Sequence, residues 1–552
     1  MASGDDDVPP GLSLRRSSTT RFCPGGLLSQ NAEALQVAIP TGAGSIPSPK
    51  DVSSAIRSLL SSGLGAGRIR ATDSILVLAD TLASARAIEF GRRLDRGERV
   101  TARSSVDLEV TESIRSIDRL DSGWDGSIWV STGPTPGPWT RGVDHILGVE
   151  PDAGDGDGPS GWTATLRSPN PSGDQGDLEP LLPEDDLDIV RCVIGSALAS
   201  DFDGHRSAFT ARAPRPLTAA SWGPSRGWVG STSPACVSSM SLVEDLTLAV
   251  QSIVDSVRPD FRRLVVLGAA QYSAAPGDAS ANAEFAVPRD LTLLDPTTGR
   301  PTSMPVLSMS HACASVLYSL DLARTVLRDP RVDTVIVASA SVPSVAATES
   351  MAAVRALTSG QARPFADDRD GIILGLGGGA VCVQRASSAG GDHPPGVLGR
   401  ITAISTRVAG RSASSQSAAE VVAVLDQLNV TPDVVIAHAT GTPTGDLVEI
   451  EAINSWIRPQ NLPTPVPVVS HKGASGHLLH ASGLLGVAHA LSLLGQPDVA
   501  GTAGLLQDIE LDSSTVLAEG KHSAPTRMDV AVVSALGFGG NTAALAIASV
   551  TP

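Results

Sequence analysis

The chain has 552 residues and a formal net charge of −17, from 41 Lys and Arg against 58 Asp and Glu, with 18% of its residues charged. That length allows three or four units of ~150 residues around a large core and excludes a small stapled scaffold. The charge excludes a general nucleic-acid binder, which needs a basic face to neutralise phosphates, and the low charged fraction excludes a disordered polyelectrolyte. Lys50, Lys472 and Lys521 are the only lysines, so a lysine at a chemical position is unusually informative. Five cysteines (Cys23, Cys192, Cys236, Cys313 and Cys382) with no C-x-x-C pair favour neither a disulfide framework nor a zinc knuckle. The N-terminus, MASGDDDVPP, is unlike a secretory signal, and no run approaches the ~18 apolar residues that span a bilayer. The expectation is a cytoplasmic protein with reduced thiols and no membrane or nucleic-acid partner.

In chain order, VSSAIRSLLSSGL (52–64) has helical apolar spacing, SILVLAD (74–80) reads as a buried strand, and a helix follows over 82–94. Residues 1–150 therefore form an α/β region, without a chemical motif. Residues 151–187 are rich in Pro, Gly, Ser and Asp and read as an acidic linker. This segment carries −8 and residues 1–10 carry −3, so the rest of the chain holds only −6 and can still offer a local basic face. Beyond it, LVEDLTLAVQSIVDSV (242–257) is an amphipathic helix leading to the strand RLVVLGAA (263–270), and DTVIVASAS (333–341) is another buried strand. Strand-like runs follow at 371–384, 397–408, 433–438, 466–470 and 529–536, with helices at 313–328, 417–428 and 481–494. This alternation predicts an α/β fold with buried sheets. Segments 52–80 and 242–270 both run helix, short Arg-containing loop, apolar strand, an echo that βαβ grammar also produces by itself.

Four windows carry candidate chemistry. In SMSHACASVLYSLDLARTVL (308–327), Cys313 lies where an extended segment turns into a helix, and the helix dipole there favours a thiolate; a small core cysteine is the bland alternative. In VVIAHATGTPTGDLVEIEA (434–452) a strand delivers His438 to a loop of small residues. VPVVSHKGASGHLLHASGLLGVAHA (466–490) repeats the arrangement with Lys472 and His477, and VAVVSALGFGGNTAALAI (530–547) is a strand, a glycine turn around Phe538 and a second strand.

Together HACAS (311–315), RPFADDRDG (363–371), HATGTPTGDLVE (438–449), KGASGH (472–477) and GFGGNT (537–542) resemble, in order and spacing over about 240 residues, the signatures of the β-ketoacyl synthases of the thiolase superfamily. The nucleophile helix resembles initiating types and the two-histidine motifs elongating types. The resemblance implies a thiolase-like five-layered αβαβα fold of two similar halves, 188–395 with Cys313 and 396–552 with His438, His477 and Phe538, beside the N-terminal region. It implies that Cys313 takes an acyl chain from a thioester. His438 and His477 would stabilise the enolate of a decarboxylating malonyl-type extender. The amides of Cys313 and Phe538 would form an oxyanion hole, with Phe538 also gating. Lys472 would orient His477, and Thr440 and Thr442 would bind the pantetheine arm. No metal or other cofactor is implied: the substrates are phosphopantetheine thioesters on acyl carrier protein or CoA. A homodimer through an edge strand of the first half is expected, or a heterodimer with a related ketosynthase-like subunit. Arg363, Arg407 and Arg411 are candidates for carrier docking.

The sequence also departs from the family pattern. Gly375-Leu376-Gly377 stands where the family has Gly-Glu-Gly, so Leu376 replaces a buried acid that supports the lysine region; GFGGNT replaces GFGGTN, and Ile436, Ala439 and His311 are atypical. Three functions stay open: decarboxylative condensation in polyketide or fatty-acid biosynthesis, ester- or amide-forming acyl transfer on the same fold, and a non-catalytic chain-length-factor-like partner, against which the retained Cys-His-His set argues.

Overall fold

A computed structural model describes residues 14–17, 34–39, 41, 45–98, 101, 124, 126–132, 141–152, 161–168, 180–194, 218–222, 225–231, 242–270, 272–274, 286–341, 345–358, 360–386, 396–408, 417–500, 502, 515–517, 521–523 and 527–550. Its framework is three successive five-stranded units. The first contains β1 (Ala34–Ile39), α1 (Pro49–Gly65), β2 (Ile75–Leu78), α2 (Asp80–Asp95), β3 (Ile128–Ser131), β4 (His145–Pro151) and β5 (Trp162–Arg167). The second contains β6 (Leu187–Ile194), α3 (Leu242–Val257), β7 (Leu264–Ala269), β8 (Pro301–Met309), α4 (Ser315–Val326), β9 (Thr334–Ser341) and β10 (Leu374–Arg385). The third contains β11 (Gly399–Val408), α5 (Ala418–Asp426), β12 (Val434–Ile436), α6 (Pro443–Ile457), β13 (Val466–Val469), α7 (Ser482–Leu493), β14 (Val530–Gly537) and β15 (Asn541–Ala548).

All three units pair their strands identically. The first strand runs antiparallel to the fifth, the fifth antiparallel to the fourth, the fourth parallel to the second and the second parallel to the third. The second and third units join through their first strands, β6 and β11. The first and second join through their third strands, with Ser131 opposite Met309.

Side-chain character explains the layers. Helix α3 covers the outer face of the second unit's sheet, and α5 and α6 cover the third. Helices α4 and α7 lie between the two sheets, each touching strands of both. A helix in that position is buried all round rather than along one stripe: every residue of α7 is buried, and every residue of α4 except Arg324. Their close crossing needs Gly483, where a β-carbon would lie 2.8 Å from Val316 Cβ. At the helix starts, Ser417 and Glu420 form a reciprocal capping box on α5, and Ser48 caps α1 ahead of Pro49.

The five-layered arrangement of two like halves is as expected, but the reading of residues 151–187 as a linker is corrected. Strand β5 lies inside the segment read as a linker, between β1 and β4. Its alternation of buried Trp162, Ala164 and Leu166 with half-buried neighbours has the period of a strand, and the flanking Pro, Gly and Asp hid it. The remainder at 153–160 and 169–179 lies outside the described residues, as do Cys23, Cys236 and Arg411. The N-terminal α/β region is continuous with the second unit, because β3 continues the sheet beyond β8.

The junction of the two halves is tied by Asp188 on β6, only 3% exposed, and Arg400 on β11, with Arg400 Nε donating to Asp188 Oδ1 at 2.8 Å. Truncating Asp188 removes the two charge-assisted hydrogen bonds that Arg400 donates to it, so Asp188→Ala should cost about 2 kcal/mol. Urea unfolding checks this, and an unchanged midpoint would show that the pair is not a structural tie.

Candidate active site

Strand β8 ends at Met309 and the chain turns through Ser310–Ala314 into α4. Ala312 adopts a φ of 48°, a region that disfavours a residue with a β-carbon. Local hydrogen bonds hold it there: His311 N donates to Ser315 Oγ at 2.8 Å, and Ser315 Oγ donates to Ala312 O at 2.7 Å. Half-buried Cys313 thus projects beside the positive end of a twelve-residue helix, which favours a thiolate.

His311 braces this turn. Val130 N donates to its Nε2 at 2.8 Å, which leaves Nδ1 to carry the proton and donate to Asn541 Oδ1, also at 2.8 Å. The ring stacks on Tyr318 with centroids 3.7 Å apart, and burial pushes its pKa down to about 3, so it is neutral. The glycine turn at 537–541 lies against the same segment. A β-carbon on Gly537 would sit 2.8 Å from His311 O and 3.1 Å from Cys313 N, so only glycine permits the approach. Asn541 Nδ2 also donates to Phe538 O, and the start of the Phe538 segment is thereby held beside the Cys313 amide.

The two other strand ends deliver the histidines. His477 Nε2 lies 3.1 Å from Cys313 Sγ, and its Nδ1 lies 2.7 Å from Ser482 Oγ. Ser482 Oγ also accepts from Leu478 N at 2.9 Å, which fixes the ring plane. His438 meets His477 edge to face, with centroids 5.3 Å apart. The reactive atoms of Cys313, His438 and His477 all lie within 4.8 Å of one another. Burial, and then the nearby Lys472 cation, hold both imidazoles well below the usual histidine range.

Lys472 is buried, and its Nζ donates to His438 O. Burial pushes its pKa down to about 8, opposed chiefly by Glu449. Glu449 is the residue that sequence reasoning passed over. Its Oε1 accepts from His438 N at 2.7 Å and from Ser534 Oγ at 2.5 Å, and its Oε2 from Ala439 N at 2.6 Å. Burial pushes its pKa up while these donors pull it down. Asp446, one helical turn earlier on α6, accepts from Thr440 N, Gly441 N and Phe365 N at 3.0, 3.1 and 2.8 Å. The two acids thus form a buried anionic floor under the His438 loop and supply charge to Lys472, although position 376 holds no acid. Within the conspicuous motif they had been read only as part of its pattern; the i, i+3 spacing that places both on one face was the available signal.

The RPFADDRDG segment acts as a strut. Arg369 donates to Thr442 O, Pro443 O and Ala366 O at 3.2, 2.6 and 2.8 Å. The Thr440 and Thr442 hydroxyls lie 3.2 Å apart, together at the rim of the loop. Of the candidate docking arginines, Arg363 is paired with Asp368, and Arg407 lines a small groove with Trp124 and Thr406.

Comparison with known proteins agrees with this geometry. The family model "Beta-ketoacyl synthase, N-terminal domain" matches residues 303–389, and "Beta-ketoacyl synthase, C-terminal domain" matches residues 401–505. The chain is 29% identical over 255 residues to a 3-oxoacyl-[acyl-carrier-protein] synthase 2 of Staphylococcus aureus, covering 42% of this chain and 60% of that protein. It is 33% identical over 202 residues to a methylphloroacetophenone synthase of Cladonia uncialis, covering 34% of this chain and 8% of that protein. The chain therefore spans less than two thirds of these relatives. Among solved structures, the ketosynthase from module 6 of the bacillaene synthase of Bacillus subtilis 168 superimposes with a TM-score of 0.54 at 18% identity, over 67% of this chain and 72% of that one. An oxazolomycin ketosynthase domain from Streptomyces albus JA3453 does so with a TM-score of 0.54 at 19% identity, over 67% and 76%. Residues 303–389, which hold the Cys313 motif, and residues 401–505, which hold the His438 and His477 motifs, are thus similar to the two domains of β-ketoacyl synthases, and the chain shares the fold of ketosynthase domains.

Proposed function

We propose that the chain is a condensing enzyme that joins an acyl group to a malonyl-type extender, with both substrates held as phosphopantetheine thioesters on acyl carrier protein or CoA. The observation that carries this is His477 Nε2 at 3.1 Å from Cys313 Sγ with His438 beside it. In the first half-reaction the Cys313 thiolate attacks the donor carbonyl, the carbon–sulfur bond to pantetheine breaks, and the pantetheine sulfur leaves as a thiolate that takes a proton from solvent. In the second, the extender's carboxylate leaves as carbon dioxide, and its bond electrons become an enolate whose oxygen accepts hydrogen bonds from His438 and His477. The enolate carbon attacks the Cys313 thioester, a carbon–carbon bond forms, and Cys313 leaves as thiolate. Neutral imidazoles suit this work, since each can donate one N–H without adding a full charge that would over-stabilise the extender's carboxylate. Thr440 and Thr442 at the rim would steady the pantetheine arm. Glu449 holds the His438 backbone and keeps Lys472 charged, so the acid missing at position 376 does not by itself argue for simple acyl transfer.

Acyl-CoA or acyl-carrier donors should shift the intact mass by one acyl group, and Cys313→Ala should lose that shift; equal labelling of the variant would overturn the nucleophile. With a malonyl thioester added, the acylated enzyme should release carbon dioxide and yield a β-keto thioester. Ester or amide as the sole product would establish acyl transfer in place of condensation.

The pH profile follows from the same charges. Because both histidines stay neutral, the rate should not fall between pH 7 and pH 6. An alkaline limb is expected near pH 8 as Lys472 loses its proton. Glu449→Gln removes the anion that supports this lysine, so the limb should move to lower pH. A limb that stays in place would show that Lys472 charge is not required.

A further inference from the structure

The first unit repeats the pairing order of the two catalytic halves, yet the connection that holds the nucleophile in the second unit has no counterpart of Cys313 here. Between β3 and β4 the sequence TGPTPGPWTRGVD (132–144) contains neither Cys nor His. It is about half as long as the β8–β9 connection that holds Cys313 and α4. The unit's place in the sheet is the informative feature. Its third strand, β3, lies antiparallel to the third strand of the next unit, β8. Third strand against third strand in opposite directions is the relation that a two-fold axis creates between two copies of one fold; here both copies lie on one chain. An open β8 edge would offer unpaired N–H and C=O groups to another molecule. Instead Thr132 N donates to Ser308 O and Ser310 N donates to Val130 O, each at 2.9 Å.

Two further contacts reach from β3 to the ends of the nucleophile segment. Trp129 Nε1 donates to Asp321 Oδ2 on α4 at 3.0 Å, and Thr406 Oγ1 of β11 donates to the same oxygen at 3.1 Å. At the other end, Val130 N donates to His311 Nε2, and His311 Nδ1 faces Asn541 of β15. All three units thus meet at Asp321 and again at His311.

We infer that residues 34–167 are a third copy of the half-fold, without a counterpart of Cys313 in its β3–β4 connection, that takes, within the same chain, the place of a second subunit at the β8 edge, and that through Val130 and His311 this copy positions the Cys313 turn. The edge expected to form a homodimer is thereby filled from within. The positioning role rests on Cys313 being the reactive thiol proposed above; the filling of the edge does not.

Light scattering on the full chain should give the mass of a single chain, and hydrogen exchange should find the amides of 127–132 and 306–310 protected. A two-chain mass, or exchange of these amides at unprotected rates, overturns the first part. Positioning is read by the rate at which iodoacetamide alkylates Cys313 as a function of pH. His311→Phe keeps a flat ring against Tyr318 but lacks both nitrogens, and it should slow alkylation roughly tenfold and move the pH midpoint; His311→Gln, with an acceptor and a donor, should recover most of the loss. Asn541→Leu removes the acceptor while leaving His311 in place and should change the profile in the same direction, which keeps the test open if His311→Phe does not fold. Wild-type rate and midpoint in the folded variants overturn the positioning role. Alkylation that behaves as expected, without any acyl-enzyme from thioester donors, would remove the proposed reaction and leave this inference standing.

Discussion

Ala312 is the constraint on which the rest of the structure depends. Its φ of 48° costs on the order of 1–3 kcal/mol and persists only where surrounding contacts over-determine it. Those contacts come from every part of the chain: the Ser315 hydroxyl from α4, the Val130 amide from β3, the Asn541 side chain from β15 and the close pass of Gly537 from the end of β14. The outcome is a half-buried cysteine at a helix start, 3.1 Å from an imidazole nitrogen of His477.

The electrostatics of the site follow from burial. Four charged side chains lie in a space that excludes water around them: Lys472, Glu449, Asp446 and Arg369, each no more than 8% exposed. Isolated charges there would be prohibitively costly. Each is instead held by hydrogen bonds to backbone or by an opposite charge, and the two acids spend most of their acceptor capacity on backbone amides of the His438 loop. Loop geometry and lysine charge are therefore one device: loss of an acid would release the loop and discharge the cation together. The histidines respond in the opposite sense, since burial and the adjacent cation keep them neutral.

Much of this was legible beforehand. The helix over 242–257 has the bounds that its apolar spacing predicts, and the strands at 263–270, 333–341 and 397–408 differ from the structure by one or two residues at their ends. These elements are long and periodic, and both faces of their strands are covered, so local pattern and tertiary demand agree. Strands β3, β4 and β5 escaped notice because each is short, or broken by His145 and Gly148, or surrounded by Pro and Gly. The echo between 52–80 and 242–270 proved to be structural, as α1–β2 and α3–β7 occupy the same positions in two units with the same pairing order.

The sequence by itself determined which residues could do chemistry, because Cys313, His438, Lys472 and His477 each stand at the end of an apolar strand in a short motif of fixed spacing, and such spacing is a local property of the chain. Only the tertiary structure decided what these residues do to one another and where the first 167 residues belong. His311 and Asn541 are 230 positions apart, and Trp129 and Asp321 are 192 apart; contacts across that distance depend on sheet order and strand direction. One-dimensional periodicity encodes neither, whereas the backbone hydrogen bonds that join β3 to β8 fix both.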